Sequence, residues 1–200
     1  TFLSGSLDTL QIFTTDTGPG NTMMDAYVRK HFSETAYDKD ALIAKQGSIQ
    51  KELLQALKQH SFFEQSFPKT TGPELFNLEY LLQAQTNSNT TNINHFDVMA
   101  TLNRFTAETI VAAITTTINE SDLVIYTSGG GMHNPLLMQH LQELLPNCIF
   151  KTTTDLNINP DAKEAILFAI LANESISGST TCFSNSNIPN VSMGKISFPN

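Results

Sequence analysis

The chain has 200 residues, 40% hydrophobic and 15% charged, enough to bury the core of one large or two small domains. A net charge of -8, with no basic run longer than Arg29-Lys30, leaves no electrostatic footprint for nucleic acid. No apolar run approaches the roughly 20 residues of a spanning helix, no basic-then-apolar leader opens the chain, and Cys148 and Cys182 match no metal or redox spacing. The expectation is therefore a cytoplasmic protein with reduced thiols and no membrane or nucleic-acid partner.

In chain order, residues 1 to 15 read as a β-hairpin: "TFL", a turn through Ser4-Gly5-Ser6, and the alternating "LQIFTT". A helix follows from Asn21, its N-cap, with Met24, Tyr27, Val28 and Phe32 at helical spacing. Two short helices are expected between Tyr37 and His60, split at Gly47 with Ser48 capping the second, whose apolar stripe is Leu53, Leu54 and Leu57. After the aromatic segment Phe62, Phe63 and Phe67, "KTTGPELFNLEYLLQAQ" predicts a helix with Pro73 in its first turn. The polar tract 86–94 reads as a flexible loop. Residues 95–118 read as a long core helix beneath a sheet, carrying Phe96, Met99, Leu102, Phe105, Ile110, Ala113 and Ile118. A buried strand "LVIYTS", the loop "GGGMHN", a helix, the strand "CIFKT" and the helix "DAKEAILFAILA" complete the order. That alternation predicts an α/β fold with helices packed on a mainly parallel sheet and ligands at the strands' carboxyl ends. The Ser/Asn-rich tail after Asn173 is expected to wrap the surface, and no internal repeat is present.

Three stretches carry candidate chemistry. In "DTGPGN", Asp16 sits at a strand's carboxyl end, where a carboxylate can take a proton from a nucleophile. Gly18 and Gly20 let the backbone turn tightly toward an anion, and the helix opening at Asn21 supplies free N–H groups. An Asx-bonded turn explains the same residues. In "SGGGMHN", Gly129, Gly130 and Gly131 offer bare backbone to a ring or phosphate, with His133 and Asn134 at the edge; a pliable strand-to-helix loop is the other reading. It lacks the lysine of a Walker loop and the spacing of a dinucleotide fingerprint. In "PDAKEA", Glu164 suits either a helix start or a sugar hydroxyl. Thr71, Glu74 and Asn77 read as a cap and surface contacts or as part of a ligand wall, and "YDKD", which lacks the spacing of a calcium loop, reads as a helix cap. No metal-ligand set is read from the sequence.

Taken in order, "TDTGPGNTMMD", "YDKD", "TTGPELFN", "ATLNRFTAETI", "SGGGMHNPLLM" and "NPDAKEAILFAILA" resemble the carboxyl-terminal half of the anhydro-N-acetylmuramic acid kinases, from about Thr1 to about Pro199. Each motif is weak alone; six in one order over the whole chain are specific. The resemblance implies a ribonuclease H-like lobe of the actin-like ATPase fold, a mixed sheet flanked by helices, in the superfamily of sugar kinases and heat-shock chaperones. It implies an enzyme that uses ATP, with Mg2+ as the default metal, and water to open the 1,6-anhydro ring and phosphorylate O6, giving N-acetylmuramic acid 6-phosphate for cell-wall recycling. Asp16 then matches the catalytic base, Gly18, Gly20 and Asn21 the floor near phosphate and sugar, Gly129 to Gly131 the loop beside adenosine, and Glu164 a sugar contact. Two departures stand out: the family's phosphate-loop lobe is missing, so residues 1–200 are expected to be one inactive lobe whose bared interface would favour a homodimer, and Met132 stands where a small or basic residue is more usual. A chaperone-like ATPase, or a degenerate module of the same superfamily, is the alternative, separated by whether the anhydro-sugar stimulates ATP turnover.

Overall fold

The computed structural model describes residues 1–4, 11–32, 35–120 and 122–177. Strands β1 (Phe2–Ser4) and β2 (Gln11–Phe13) pair antiparallel with Phe2 opposite Phe13 and Ser4 opposite Gln11, as the alternating pattern predicts. The expected turn through Gly5 and Ser6 lies outside the described residues. Helix α1 (Thr22–His31) buries Met23, Met24, Tyr27 and Val28 on one face and ends in Arg29, Lys30 and His31, which suit its negative carboxyl end. Asn21 occupies the N-cap position, yet its backbone is already helical and its side chain caps nothing. Its amide is directed elsewhere, as described below.

The segment after Tyr37 is tighter than the expected pair of helices. Two 3-10 turns, Lys39–Ala41 and Ala44–Gln46, precede helix α2 (Lys51–Leu57), whose Leu53, Leu54 and Leu57 are buried. Ser48 does not cap α2; its N–H donates to Asp97 Oδ1 at 2.7 Å, and Gln50 holds the cap position while its own N–H donates to Thr101 Oγ1 at 3.0 Å. The cause is close docking on the next long helix. A Cβ added to Gly47 would lie 2.0 Å from the Phe96 carbonyl oxygen, so only glycine fits.

Helix α3 (Leu78–Asn87) starts later than predicted. Asn77 caps it by accepting from the N–H groups of Glu79 at 2.9 Å and Tyr80 at 3.0 Å, and Pro73 lies in the preceding turn, where Leu75 and Phe76 donate to the Gly72 carbonyl. A side chain able to satisfy two orphan donors fixes the start in place of the proline. Turns at 88–94 lead to Asn94, which caps helix α4 (His95–Thr117) through the Asp97 N–H. The main core gathers around α4: Val98, Met99, Leu102 and Phe105 pack with residues of α1, α2 and α3 and with Phe62 and Phe76. Each such side chain contributes about 2 kcal/mol on burial.

Strands β3 (Val124–Thr127) and β4 (Ile149–Thr152) pair in parallel, joined by helix α5 (Pro135–Leu144), as the β-loop-α-β order predicts. The first of these is not the buried strand expected from its apolar run. Val124, Tyr126 and Ile149 are exposed, because only one face of the ribbon is covered, through Phe150 and the small cluster of Ala107, Leu137 and Leu141. That cluster also links α4 to the ribbon; α4 itself packs chiefly among helices rather than beneath a sheet. Helix α6 (Lys163–Ser177) has no buried residue. The described strands thus form two two-stranded sheets flanked by helices, an α/β arrangement. Among the described residues no helix is long and apolar enough to cross a membrane. Cys148 is a buried thiol, and Cys182 lies outside the described residues.

Candidate functional site

Two loops expected to carry chemistry converge on α4. The first leaves β2 through Thr15 and Asp16, which pair with the segment after Pro68. Thr15 Oγ1 accepts from the Lys69 N–H at 3.0 Å and donates to the Lys69 carbonyl at 3.1 Å, while the Asp16 N–H donates to that carbonyl at 2.9 Å. The Thr71 N–H then donates to Asp16 Oδ2 at 2.9 Å. Asp16 is exposed, with one carboxylate oxygen oriented by backbone and the other without a hydrogen bond among the described residues. Lys69 is itself anchored: its Nζ donates to the Phe62 carbonyl at 2.8 Å and lies over the Phe62 and Phe67 rings. Burial lowers its pKa.

Beyond Asp16 the loop rests on polar groups of α4. A Cβ on Gly18 would come 2.7 Å from Thr109 Oγ1, so this glycine permits close packing, and Thr106 Oγ1 donates to the Gly20 carbonyl at 2.9 Å. Gly20 has φ +55°, a left-handed backbone that glycine adopts without strain. The second loop runs from Gly129, φ +77°, through a 3-10 turn at Gly130–His133 to Asn134. Asn134 Oδ1 accepts from the Leu137 N–H, capping α5, and from Asn103 Nδ2 of α4, both at 3.0 Å. The loop is also tied to the start of α6: Gly129 N–H donates to the Pro160 carbonyl, and His133 Nε2 lies 2.8 Å from Asp161 Oδ1.

Between the second loop, the start of α1 and the turn at Tyr37 to Asp40 lies a cavity of about 540 Å³, lined by Asn21, Met24, Asp25, Tyr37 to Asp40, Gly130, His133 and Asn134. Its size is that of a small-molecule site. Asn21 lies against the glycine loop: its amide nitrogen would lie 3.5 Å from a Cβ on Gly130, and its buried Oδ1 has no hydrogen-bond partner among the described residues. Asp25, one helical turn further on, is half-buried, and its carboxylate has no hydrogen bond among the described residues; its pKa is raised by burial and by Asp38, against the opposing pull of Arg29. Asp38 is fully engaged, Oδ1 accepting from Ile43 N–H at 2.8 Å and Oδ2 from Ala44 N–H at 2.9 Å; it does not cap the 3-10 turn it precedes, as "YDKD" suggested, but reaches across it to the start of the next.

The structure therefore brings Asn21, Gly130, His133 and Asn134 into one cavity. Asp16, Gly18 and Gly20 stand on the neighbouring loop, Gly129 and Gly131 flank the lining, and Glu164 is an exposed residue of α6 outside it. Sequence reading overlooked Asp25, Tyr37 and Asp40 as cavity walls. It also missed Asn103, Thr106 and Thr109, all buried, whose three-residue spacing on an apolar face was the available signal. Among the described residues no group of three or more His, Cys, Asp or Glu side chains could hold a metal ion.

Comparison with known proteins gives one consistent result. Residues 7–192 match the family model described as anhydro-N-acetylmuramic acid kinase. Curated relatives bearing that name include those of Pseudoalteromonas atlantica, 54% identical over 203 residues (100% of this chain, 51% of the relative), and Pseudoalteromonas translucida, 52% identical over 202 residues (99% and 50%). That of Vibrio cholerae is 44% identical over 163 residues (82% and 43%). The chain thus spans about half the length of the curated relatives it matches.

Proposed function

The chain belongs to the anhydro-N-acetylmuramic acid kinase family, and from that premise we propose that it is the carboxyl-terminal, ribonuclease H-like lobe of an ATP-dependent sugar kinase of the actin-like ATPase fold. The full-length enzyme opens the 1,6-anhydro ring of anhydro-N-acetylmuramic acid with water and transfers the γ-phosphoryl group of ATP to O6. Water oxygen bonds to the anomeric carbon as the bond from that carbon to the bridging oxygen breaks. The released oxygen takes the phosphoryl group, ADP leaves, and the water's proton passes to Asp16. The products are ADP and N-acetylmuramic acid 6-phosphate.

The observation that carries this reading is the setting of Asp16: exposed on the loop three residues past β2, with Oδ2 held by the Thr71 N–H at 2.9 Å and the other oxygen open to accept a proton. Orientation of one carboxylate oxygen by a backbone donor is the positioning that general base catalysis requires. The glycine loop and the adjoining cavity take the nucleotide, Gly18, Gly20 and Asn21 shape the floor between nucleotide and sugar, and Glu164 meets the sugar only if the missing half of the cleft brings the sugar to α6. Mg2+ accompanies ATP in phosphoryl transfer, and the described residues gather no ligand set of His, Cys, Asp and Glu for it.

The test is mass spectrometry of the product formed by full-length protein from ATP and the anhydro-sugar in oxygen-18 water. A product heavier by one phosphate and one labelled water supports the coupled reaction. ATP loss with unmodified sugar overturns it.

A further inference from the structure

The geometry points to Asp25 as the acceptor of the ribose hydroxyls of ATP, with the cavity between α1, Tyr37 to Asp40 and the glycine loop receiving the nucleoside end of the nucleotide. This rests on the kinase reading above and adds to it a residue and an orientation.

Charge selects the occupant. Three carboxylates, Asp25, Asp38 and Asp40, line the cavity against one lysine, Lys39. The polyphosphate of ATP and the carboxylate of a muramic acid are both anionic and are disfavoured there. Each substrate has an uncharged part, the nucleoside of ATP and the anhydro-sugar ring, and of the two only the nucleoside carries a vicinal diol. The polyphosphate then points out of the cavity, toward the loop of Asp16 to Gly20.

Hydrogen-bonding capacity selects the contact. Asn134 Oδ1 is occupied by Asn103 and Leu137, His133 faces Asp161, and both oxygens of Asp38 are taken by backbone N–H groups. The half-buried Asp25 carboxylate has no hydrogen-bond partner among the described residues. Four residues earlier on the same helix face, Asn21 presents a buried oxygen that also lacks one. A ligand bringing several O–H or N–H donors satisfies both, and a vicinal diol matches the two oxygens of one carboxylate. Tyr37, 54% exposed at the rim, offers an aromatic face to a purine.

The experiment is calorimetric titration of full-length protein, wild type and Asp25→Ala, with ATP, 2′-deoxy-ATP and 3′-deoxy-ATP. In the wild type each deoxy nucleotide is expected to bind about tenfold or more weakly, since it lacks a hydrogen bond to a charged group. Asp25→Ala should weaken ATP by a similar factor and the deoxy nucleotides little, bringing the ratios close to one. Equal binding of all three by the wild type overturns the proposal without any variant, and so does an Asp25→Ala protein that still discriminates. Wild type that binds none of them overturns the nucleotide reading itself, a distinguishable failure.

Discussion

Thr15→Val isolates the clamp that orients the proposed base. Thr15 Oγ1 is the hydrogen-bond partner of both the N–H and the carbonyl of Lys69, and valine keeps its shape without its oxygen. The substitution leaves the part-buried Lys69 N–H unsatisfied, at a cost of about 1–3 kcal/mol. The Lys69 carbonyl keeps its bond from the Asp16 N–H, and Lys69 Nζ keeps its carbonyl and ring contacts, so the segment stays folded but loosens beside Asp16. If that cost falls on the geometry of the Asp16 to Thr71 contact, kcat should drop by about 10- to 100-fold, at 1.36 kcal/mol per factor of ten. Steady-state kinetics of the full-length enzyme with ATP and the anhydro-sugar would read it. The KM for ATP should stay unchanged, and Thr15→Ser, which restores the oxygen, should restore the rate. A Thr15→Val enzyme with kcat within twofold of wild type would refute the clamp, whatever its thermal stability.

Asp16→Asn in the full-length enzyme should lower turnover by several orders of magnitude while nucleotide affinity stays close to normal, because an exposed base is removed with little binding surface; near-normal turnover would end that assignment. Gly130→Val should weaken ATP binding in equilibrium titration without loss of stability. A Cβ there meets only Asn21 Nδ2 at an ordinary 3.5 Å, so unchanged affinity would mean that no ligand approaches this backbone. Asn103→Ala removes the donor from fully buried Asn103 to Asn134; α5 keeps its cap from Leu137, and we expect about 1–3 kcal/mol less stability together with weaker nucleotide binding. His31 and His140 both have lowered pKa values, chiefly because burial disfavours the imidazolium, with His95 and Lys30 adding to the effect at His31. The unfolded chain therefore binds more protons as pH falls through the ordinary value of 6.5, and stability present above that pH is lost below it. Urea midpoints at neutral pH and about one and a half units lower should converge in His31→Gln relative to wild type; an undiminished acid loss would contradict the sign.

Periodicity made the helices legible because each buries a stripe that repeats every three to four residues, as Met24, Tyr27 and Val28 do in α1 and Met99, Leu102 and Phe105 do in α4. The helix starts were harder to place, since caps compete. Asn77 prevails over Pro73 by satisfying two donors, and Ser48 cedes the cap of α2 to Gln50 because Gly47 lies against Phe96 and draws the Ser48 N–H to Asp97. The "LVIYTS" run looked buried because a continuous apolar stretch does not say how many of its faces are covered. In the candidate site, the glycines, Asn21, Asn134 and Asp16 stand out in sequence because they cluster at turns. The cavity wall does not, because Asp25 and Tyr37 meet Gly130 only through tertiary folding.

The burial of Asn103, Thr106 and Thr109 accounts for how two loops far apart in sequence are held at one place. Polar side chains on the core face of a helix cost stability unless each is satisfied. Here Asn103 Nδ2 is spent on Asn134 while its Oδ1 stays buried without a partner among the described residues, Thr106 is spent on Gly20, and Thr109 is packed against Gly18 while donating to the Thr106 carbonyl. An all-leucine face would bind the same helices more cheaply but would leave the Gly20 carbonyl without its side-chain donor and Asn134 Oδ1 held by the Leu137 N–H alone. The cost is therefore accepted where it fixes backbone, and the fixed backbone lies on both sides of the cavity. A change anywhere along this face should move both loops together, so that the affinity for nucleotide and the rate attributed to Asp16 fall in concert rather than separately.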